Sequence, residues 1–378
     1  MPTMKTAQKS VAVLALALTA ALPALAQQPQ PGDPGYVRVQ GTDPTLGAPP
    51  PILAPSRDLI DYREEMRTFI QRISTYARAQ NRDFQIVVRD AEELIIKRNL
   101  QDDAIISPAR TFTRSIDGVL YDGVFMGHMA VDQPPPPEVQ QAELASIDRA
   151  KNAGLPVFII DYATKPADID RIYRSANHQD LIAAVVPRPT SNLSEIPRYP
   201  RRPNNENPNN VLTISDVKNF IYISDPAAFG RQDQFALKLH DNNFDLVIVD
   251  PFSGREPLNK QAVETLKYKK LGARRLVFAR MDIASAASYR FYWQPGWAEG
   301  YPGFIGAPFP RDPDRYFVEY WQPGWQDVIF GNPNSFLYGL IAQGYDGVIL
   351  EGMRNFLAFE GNVEIEQEFA PLSLTPIN

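Results

Sequence analysis

Cysteine is absent from the 378 residues, and histidine occurs only as His128, His178 and His240. The first absence removes disulfides, thiolate metal sites and cysteine nucleophiles together. The second leaves too few imidazoles for a histidine metal cluster, so no metal site is expected. Basic clusters are also missing. With a net charge of -6 and no grouped Lys and Arg, the chain lacks the phosphate-neutralising surface that nucleic-acid binding needs. There is no G-x-G-x-x-G and no P-loop, so no nucleotide cofactor is indicated. An EF-hand-type D-x-[DN]-x-[DN]-G loop is missing too, which leaves little for a structural Ca²⁺ domain. No segment is apolar for long enough to span a bilayer.

What is present begins with Lys5 and Lys9, an apolar run from Val11 to Leu22, and Ala24-Leu25-Ala26. That is the n-region, h-region and A-x-A pattern of a secretory signal, and it predicts export with cleavage after Ala26, into the periplasm or beyond. Residues 27–56, rich in Pro, Gly and Gln, read as a flexible leader. The remainder, 57–378, is 322 residues long and carries enough apolar sequence for a large core, expected as one domain.

Eight short apolar runs have the look of buried parallel strands: Phe84 to Asp90, Ile116 to Asp122, Pro156 to Tyr162, Leu181 to Pro187, Asn219 to Asp225, Phe244 to Asp250, Arg275 to Met281 and Tyr345 to Glu351. Helical patterns separate most of them, at Pro137 to Ala153, Ala167 to Ser175, Gln232 to Asp241, Asn259 to Leu271 and Trp325 to Gln343. The alternation predicts an α/β fold, a (β/α)8 TIM barrel. One helix is misplaced. Tyr62 to Gln80 has the i, i+3, i+4 stripe of a packed surface helix, yet it precedes the first strand, and none comparable comes after the eighth. It would close the ring behind strand eight in a circularly permuted barrel. The Pro, Asn and Arg-rich stretch at 187–210, unusually long for an internal loop, would then be the joint between former termini.

Barrel sites lie at the C-terminal strand ends. Those ends carry Asp90, Asp122, Asp161-Tyr162, Asp225, Asp250, Asp282 and Glu351. Each alone suits a helix cap; together they suggest a carboxylate-lined mouth, fit for hard cations or for glycoside hydrolysis by an acid pair. Tryptophan is scarce, and all four residues fall in two copies of YWQPGW, at Tyr292 to Trp297 and Tyr320 to Trp325, between strands seven and eight. Rings above such a mouth can stack sugars. They can equally hold the insertion down, the simpler role for Trp297 and Trp325.

YRFYWQPGW (Tyr289 to Trp297), VEYWQPGW (Val318 to Trp325), QGYDGVILE (Gln343 to Glu351), FDLVIVDPF (Phe244 to Phe252) and RRLVFARMDI (Arg274 to Ile283) resemble the endo-α-1,4-polygalactosaminidase-like group, glycoside hydrolase family 114 and its bacterial relatives. MRTFIQRISTYARAQNRDFQIVVRD, SIDGVLYDGVFMG and GLPVFIIDY, in the first half, resemble the region C-terminal to the GFDGVYLD motif in that group. The resemblance covers most of the chain from Asp61 onward, in swapped order. It implies a hydrolase of α-1,4-linked galactosamine polymers with Glu351 and Asp122 as catalytic carboxylates. Asp90, Asp161, Tyr162, Asp250, Asp282, Tyr289, Arg290, Trp293, Tyr320 and Trp321 are the expected substrate-binding residues. The pattern is altered: Glu351 stands where the group has Asp, Asp122 where it has Glu, and the two glutamates of SIGEAE are lost at Asp282 to Ala287. Arg89 and Arg280, if salt-bridged to Asp90 and Asp122, would hold those acids ionised and spoil a general acid. A barrel that binds polysaccharide without cleaving it is therefore the alternative.

Overall fold

The computed structural model describes residues 60–99 and 102–361. The expected signal segment and leader lie outside the described residues. Eight parallel strands form one sheet: β1 (Gln85–Arg89), β2 (Gly118–Asp122), β3 (Val157–Tyr162), β4 (Ile182–Val186), β5 (Phe220–Ile223), β6 (Leu246–Val249), β7 (Leu276–Asp282) and β8 (Gly347–Glu351). Their order is β4-β3-β2-β1-β8-β7-β6-β5, so sequence neighbours are spatial neighbours and β8 returns to pair with β1. Only β4 and β5 meet without ladder hydrogen bonds among the described residues. The result is a nearly closed (β/α)8-type barrel.

The strands are apolar on both faces because both are covered. Alternate residues such as Val87, Leu120, Phe158, Ile248, Phe278 and Ile349 fill the interior. Their neighbours, among them Ile86, Val119, Ile159, Val247 and Val348, face the helices. Gly347 of β8 is fixed by proximity: a Cβ there would stand 2.4 Å from the Gln85 carbonyl oxygen and 2.6 Å from the Phe278 ring. Gly347→Ala is therefore expected to destabilise by about 1–3 kcal/mol through overpacking, read as a lowered urea midpoint.

The outer helices are α1 (Tyr62–Gln80), α2 (Pro137–Asn152), α3 (Pro166–His178), α4 (Gln232–His240), α5 (Lys260–Leu266), α6 (Pro323–Ile329) and α7 (Phe336–Gln343). Asp61 caps α1 by accepting from the Glu64 N–H at 2.9 Å, and Met66, Phe69, Ile70, Ile73 and Ala77 form its buried stripe, as the spacing predicts. This helix packs beside α7 and stacks Phe69 on Tyr320. It fills the layer next to β8 and β1, where the described residues after β8 form just a short 3-10 turn, Met353–Asn355, and one helical turn, Phe356–Phe359.

Two expected helices differ. Trp325 to Gln343 is two helices, because Gly331 adopts φ 102° and Pro333 comes two residues later, which together end the first run. The helix expected to reach Leu271 stops at Leu266; beyond it Lys269 turns inward to Asp245, and Tyr268 bridges Arg274. Unforeseen additions among the described residues include a hairpin of Ile96–Asn99 with Asp102–Pro108, a short ladder of Phe252–Ser253 with Glu256–Pro257, and a three-stranded antiparallel sheet of Ser285–Ala287, Asp312–Val318 and Ile305–Phe309 in the insertion before β8. Among the described residues, no helix is long and apolar enough to cross a membrane.

Candidate functional site

The C-terminal strand ends converge on Arg89, the last residue of β1. Its Nε–H donates to Asp122 Oδ2 at 2.6 Å, and its Nη1 donates to Glu351 Oε1 at 3.0 Å and to the Tyr222 hydroxyl at 3.3 Å. Its Nη2 donates to Thr190 Oγ1 at 2.8 Å, which ties the mouth to the segment after β4. The two expected catalytic carboxylates are thus brought together, but with a guanidinium bound to both. Tyr162 donates its hydroxyl hydrogen to Asp122 Oδ1 at 2.5 Å.

Glu351, only 8% exposed, accepts four hydrogen bonds. Besides Arg89, the Tyr222 hydroxyl donates to Oε1, while Arg280 Nε and Nη2 reach Oε2 at 3.2 and 2.8 Å. Burial alone would raise its pKa, but Arg280, Arg89 and the Tyr222 hydrogen bond outweigh it and hold the carboxyl at about 2. The expectation that Arg280 pairs with Asp90 or Asp122 is corrected: it pairs with Glu351, because β7 lies beside β8 and Arg280 is level with Ile349.

The other acids are committed as well. Asp250 is held by a bidentate Arg290, at 3.0 and 2.7 Å, and its Oδ1 also accepts from the Phe252 N–H. Asp282 is bound by Arg315 and accepts from the Ala284 N–H, the Ser285 N–H and the Ser285 hydroxyl. Asp90, in a left-handed conformation with φ 56°, is an exception. Arg89 Nε stands 3.9 Å from it, and burial with the neighbouring Asp122 charge raises its pKa to about 6 against the pull of Arg89 and Arg354.

Asp161 does not reach the mouth. It is fully buried, and its two oxygens accept from the Phe125 N–H at 3.2 Å, which ties down the turn after β2. Burial lifts its pKa to about 7 against those backbone hydrogen bonds. Between its unfolded value, near 3.9, and about 7, the folded state holds the extra proton. Its contribution to stability therefore falls as pH rises through that window. Asp161→Asn should remove that decline in urea titrations run from pH 4 to pH 7.

Of the expected stacking residues, Tyr289 is the one that stands open. It is 45% exposed, lies 5.7 Å from the Arg290 guanidinium carbon, and feels the charges of Arg315 and Asp282. Tyr320, by contrast, is fully buried, donating to the Tyr62 carbonyl at 2.7 Å, and offers no face to a sugar. Trp321 packs on Tyr62 and Phe359, and Trp293 on Tyr316 and Trp297. Trp325 is buried with its indole N–H on the Ile283 carbonyl at 2.7 Å, the anchoring role foreseen for it. The YWQPGW copies are chiefly the aromatic core of the insertion.

Sequence reasoning missed Tyr222, Thr190 and Arg315. Tyr222 shares the inward parity of Phe220 on β5, a signal that alternation contained. Arg315 sits in a strand that no motif announced. Among the described residues, no group of three or more His, Asp or Glu is placed to hold a metal ion.

No family model matches the chain. It is similar to uncharacterized proteins of Thermotoga maritima (25% identical over 144 residues, 38% of this chain and 43% of the relative) and Methanocaldococcus jannaschii (30% over 154 residues, 40% and 41%). A third, from Deinococcus radiodurans, is 33% identical over 113 residues, 30% of this chain and 34% of the relative. The chain thus spans less than half the length of the curated relatives it matches. Among solved structures, the U32 peptidase Mk0906 aligns over 71% of this chain and 93% of its own, at 14% identity and a TM-score of 0.28.

Proposed function

We propose that the mouth of this barrel binds a polysaccharide of the α-1,4-linked galactosamine type without cleaving it. The observation that carries this reading is Arg89. Cleavage by a carboxylate pair requires the anomeric carbon to sit between the two acids, with one of them protonated. Here a guanidinium is bound to both Asp122 and Glu351, and Glu351 is held ionised. Arginine–carboxylate pairs such as Arg290–Asp250 and Arg315–Asp282 remain good partners for sugar hydroxyls, and Tyr289 stands beside them as an open ring.

The same proposal takes the chain as a circularly permuted, exported descendant of the polygalactosaminidase-like group. The position of α1 beside β8 and β1 supports it. So does the extent of the relatives' matches, 113 to 154 residues, since a colinear alignment can track only one segment of a permuted chain at a time.

A hydrolytic second reading draws on Asp90, whose raised pKa of about 6 makes it a proton carrier beside the ionised Glu351. Tyr289→Ala tests the binding site itself: affinity for the polymer, measured by calorimetry, is expected to fall about tenfold with the loss of one stacking face. Unchanged affinity would move the ligand away from this mouth.

A further inference from the structure

A cavity of about 480 Å³ opens on the outer wall of the barrel at the opposite end from the mouth, between residues 196–203 and the last turn of α4. It lies beside the seam where β4 and β5 share no ladder. The segment after β4 contains no α-helix, so proline-rich chain covers this part of the wall. Its size is within the range of small-molecule sites, roughly 300–1,000 Å³.

Two kinds of group line it. Ile196, Pro197, Pro200, Leu237 and Phe244 make apolar walls, with Leu237 61% exposed at the rim. Arg201, Arg202 and Lys238 supply positive charge. Arg202 has one loose ion pair, with Glu206 at 3.6 Å, and neither Arg201 nor Lys238 has one among the described residues. The single acid of the lining, Asp241, is already paired with Lys270 at 2.7 Å. The cavity is therefore positive on a chain whose net charge is -6.

We propose that this cavity is a second binding site, separate from the mouth, for an organic anion with an apolar body and a carboxylate head. The cations select the head by charge, and the proline and leucine walls take the body. A bare inorganic anion leaves those walls unused, and a neutral alcohol leaves the cations unanswered.

The test is calorimetric titration with decanoate, with decanol and inorganic phosphate as comparisons, on the wild-type chain and on Arg201→Gln/Arg202→Gln. Both arginines are exposed, so the double variant keeps the fold, and an unchanged melting temperature verifies this. Saturable binding of decanoate to one site, weakened at least about tenfold in the variant and lost at high salt, is expected. Three outcomes would each overturn the proposal: no saturable decanoate binding, equal affinity in the variant, or equal binding of decanol or phosphate.

Discussion

Lys269→Met is expected to lower folding stability by about 3–5 kcal/mol, the cost of stranding a buried charge. Lys269 and Asp245 form an ion pair of 2.6 Å whose side chains are 1% and 0% exposed. The ammonium also donates to the carbonyls of Asn207 and Asn209, at 2.7 and 2.9 Å, while Asp245 accepts from the Lys218 N–H at 2.8 Å. One pair therefore fastens the end of the long segment after β4 to the floor of the barrel beneath β6. Removing the cation leaves the buried Asp245 carboxylate with only the Lys218 N–H and the Asn207 amide as partners, and two carbonyls unpaired. Replacing both partners, as Lys269→Met/Asp245→Leu, should cost far less than the single change, because no charge is stranded. Urea denaturation of the three proteins decides the matter; a single-variant loss below about 1 kcal/mol would mean that the pair is hydrated rather than sealed.

The second large effect is the acid limb of stability governed by Glu351. Its folded pKa of about 2 lies below the ordinary glutamate value of 4.5. A depressed acid contributes stability that is fully present above the unfolded value and disappears as pH falls through the folded one. The contribution is on the order of 3 kcal/mol, present above about pH 4.5 and lost toward pH 2. Glu351→Gln should flatten that limb and be less stable at pH 7 by a similar amount, since Arg89 and Arg280 then face no charge between them. The Asp161 window, from about pH 4 to about 7, lies higher and has the opposite sign. Urea midpoints measured from pH 2 to pH 7 therefore separate the two groups. An unchanged acid limb in Glu351→Gln would contradict the Arg89–Glu351–Arg280 bridge.

The fold was legible because its signals are local. Each strand is a short apolar run bounded by turn residues, and the α1 stripe from Met66 to Ala77 fixes both the helix and its buried face. The ring of acids came from the same periodicity, since the end of a barrel strand is known once the strand is. The state of those acids did not. Whether Arg280 meets Asp122 or Glu351 depends on the stagger of β7 against β8, a property of two segments about 70 residues apart. Arg315 reaches Asp282 from an antiparallel strand whose pairing with Ile305–Phe309 is broken by register shifts. The aromatic motifs misled for a related reason: a tryptophan that anchors an insertion and one that stacks a sugar have the same sequence, and only burial separates Trp325 from an open ring such as Tyr289.

The direct test of the central claim is to incubate the protein with α-1,4-galactosamine-rich polymers, acetylated and deacetylated, measuring bound polymer and released reducing ends in the same samples, with Glu351→Gln alongside. Saturable binding with no reducing ends from either protein is the result expected of a mouth whose two acids are tied to Arg89. Reducing ends that appear with the wild type and vanish with Glu351→Gln would contradict it, and would make Glu351 a working carboxylate of a glycosidase.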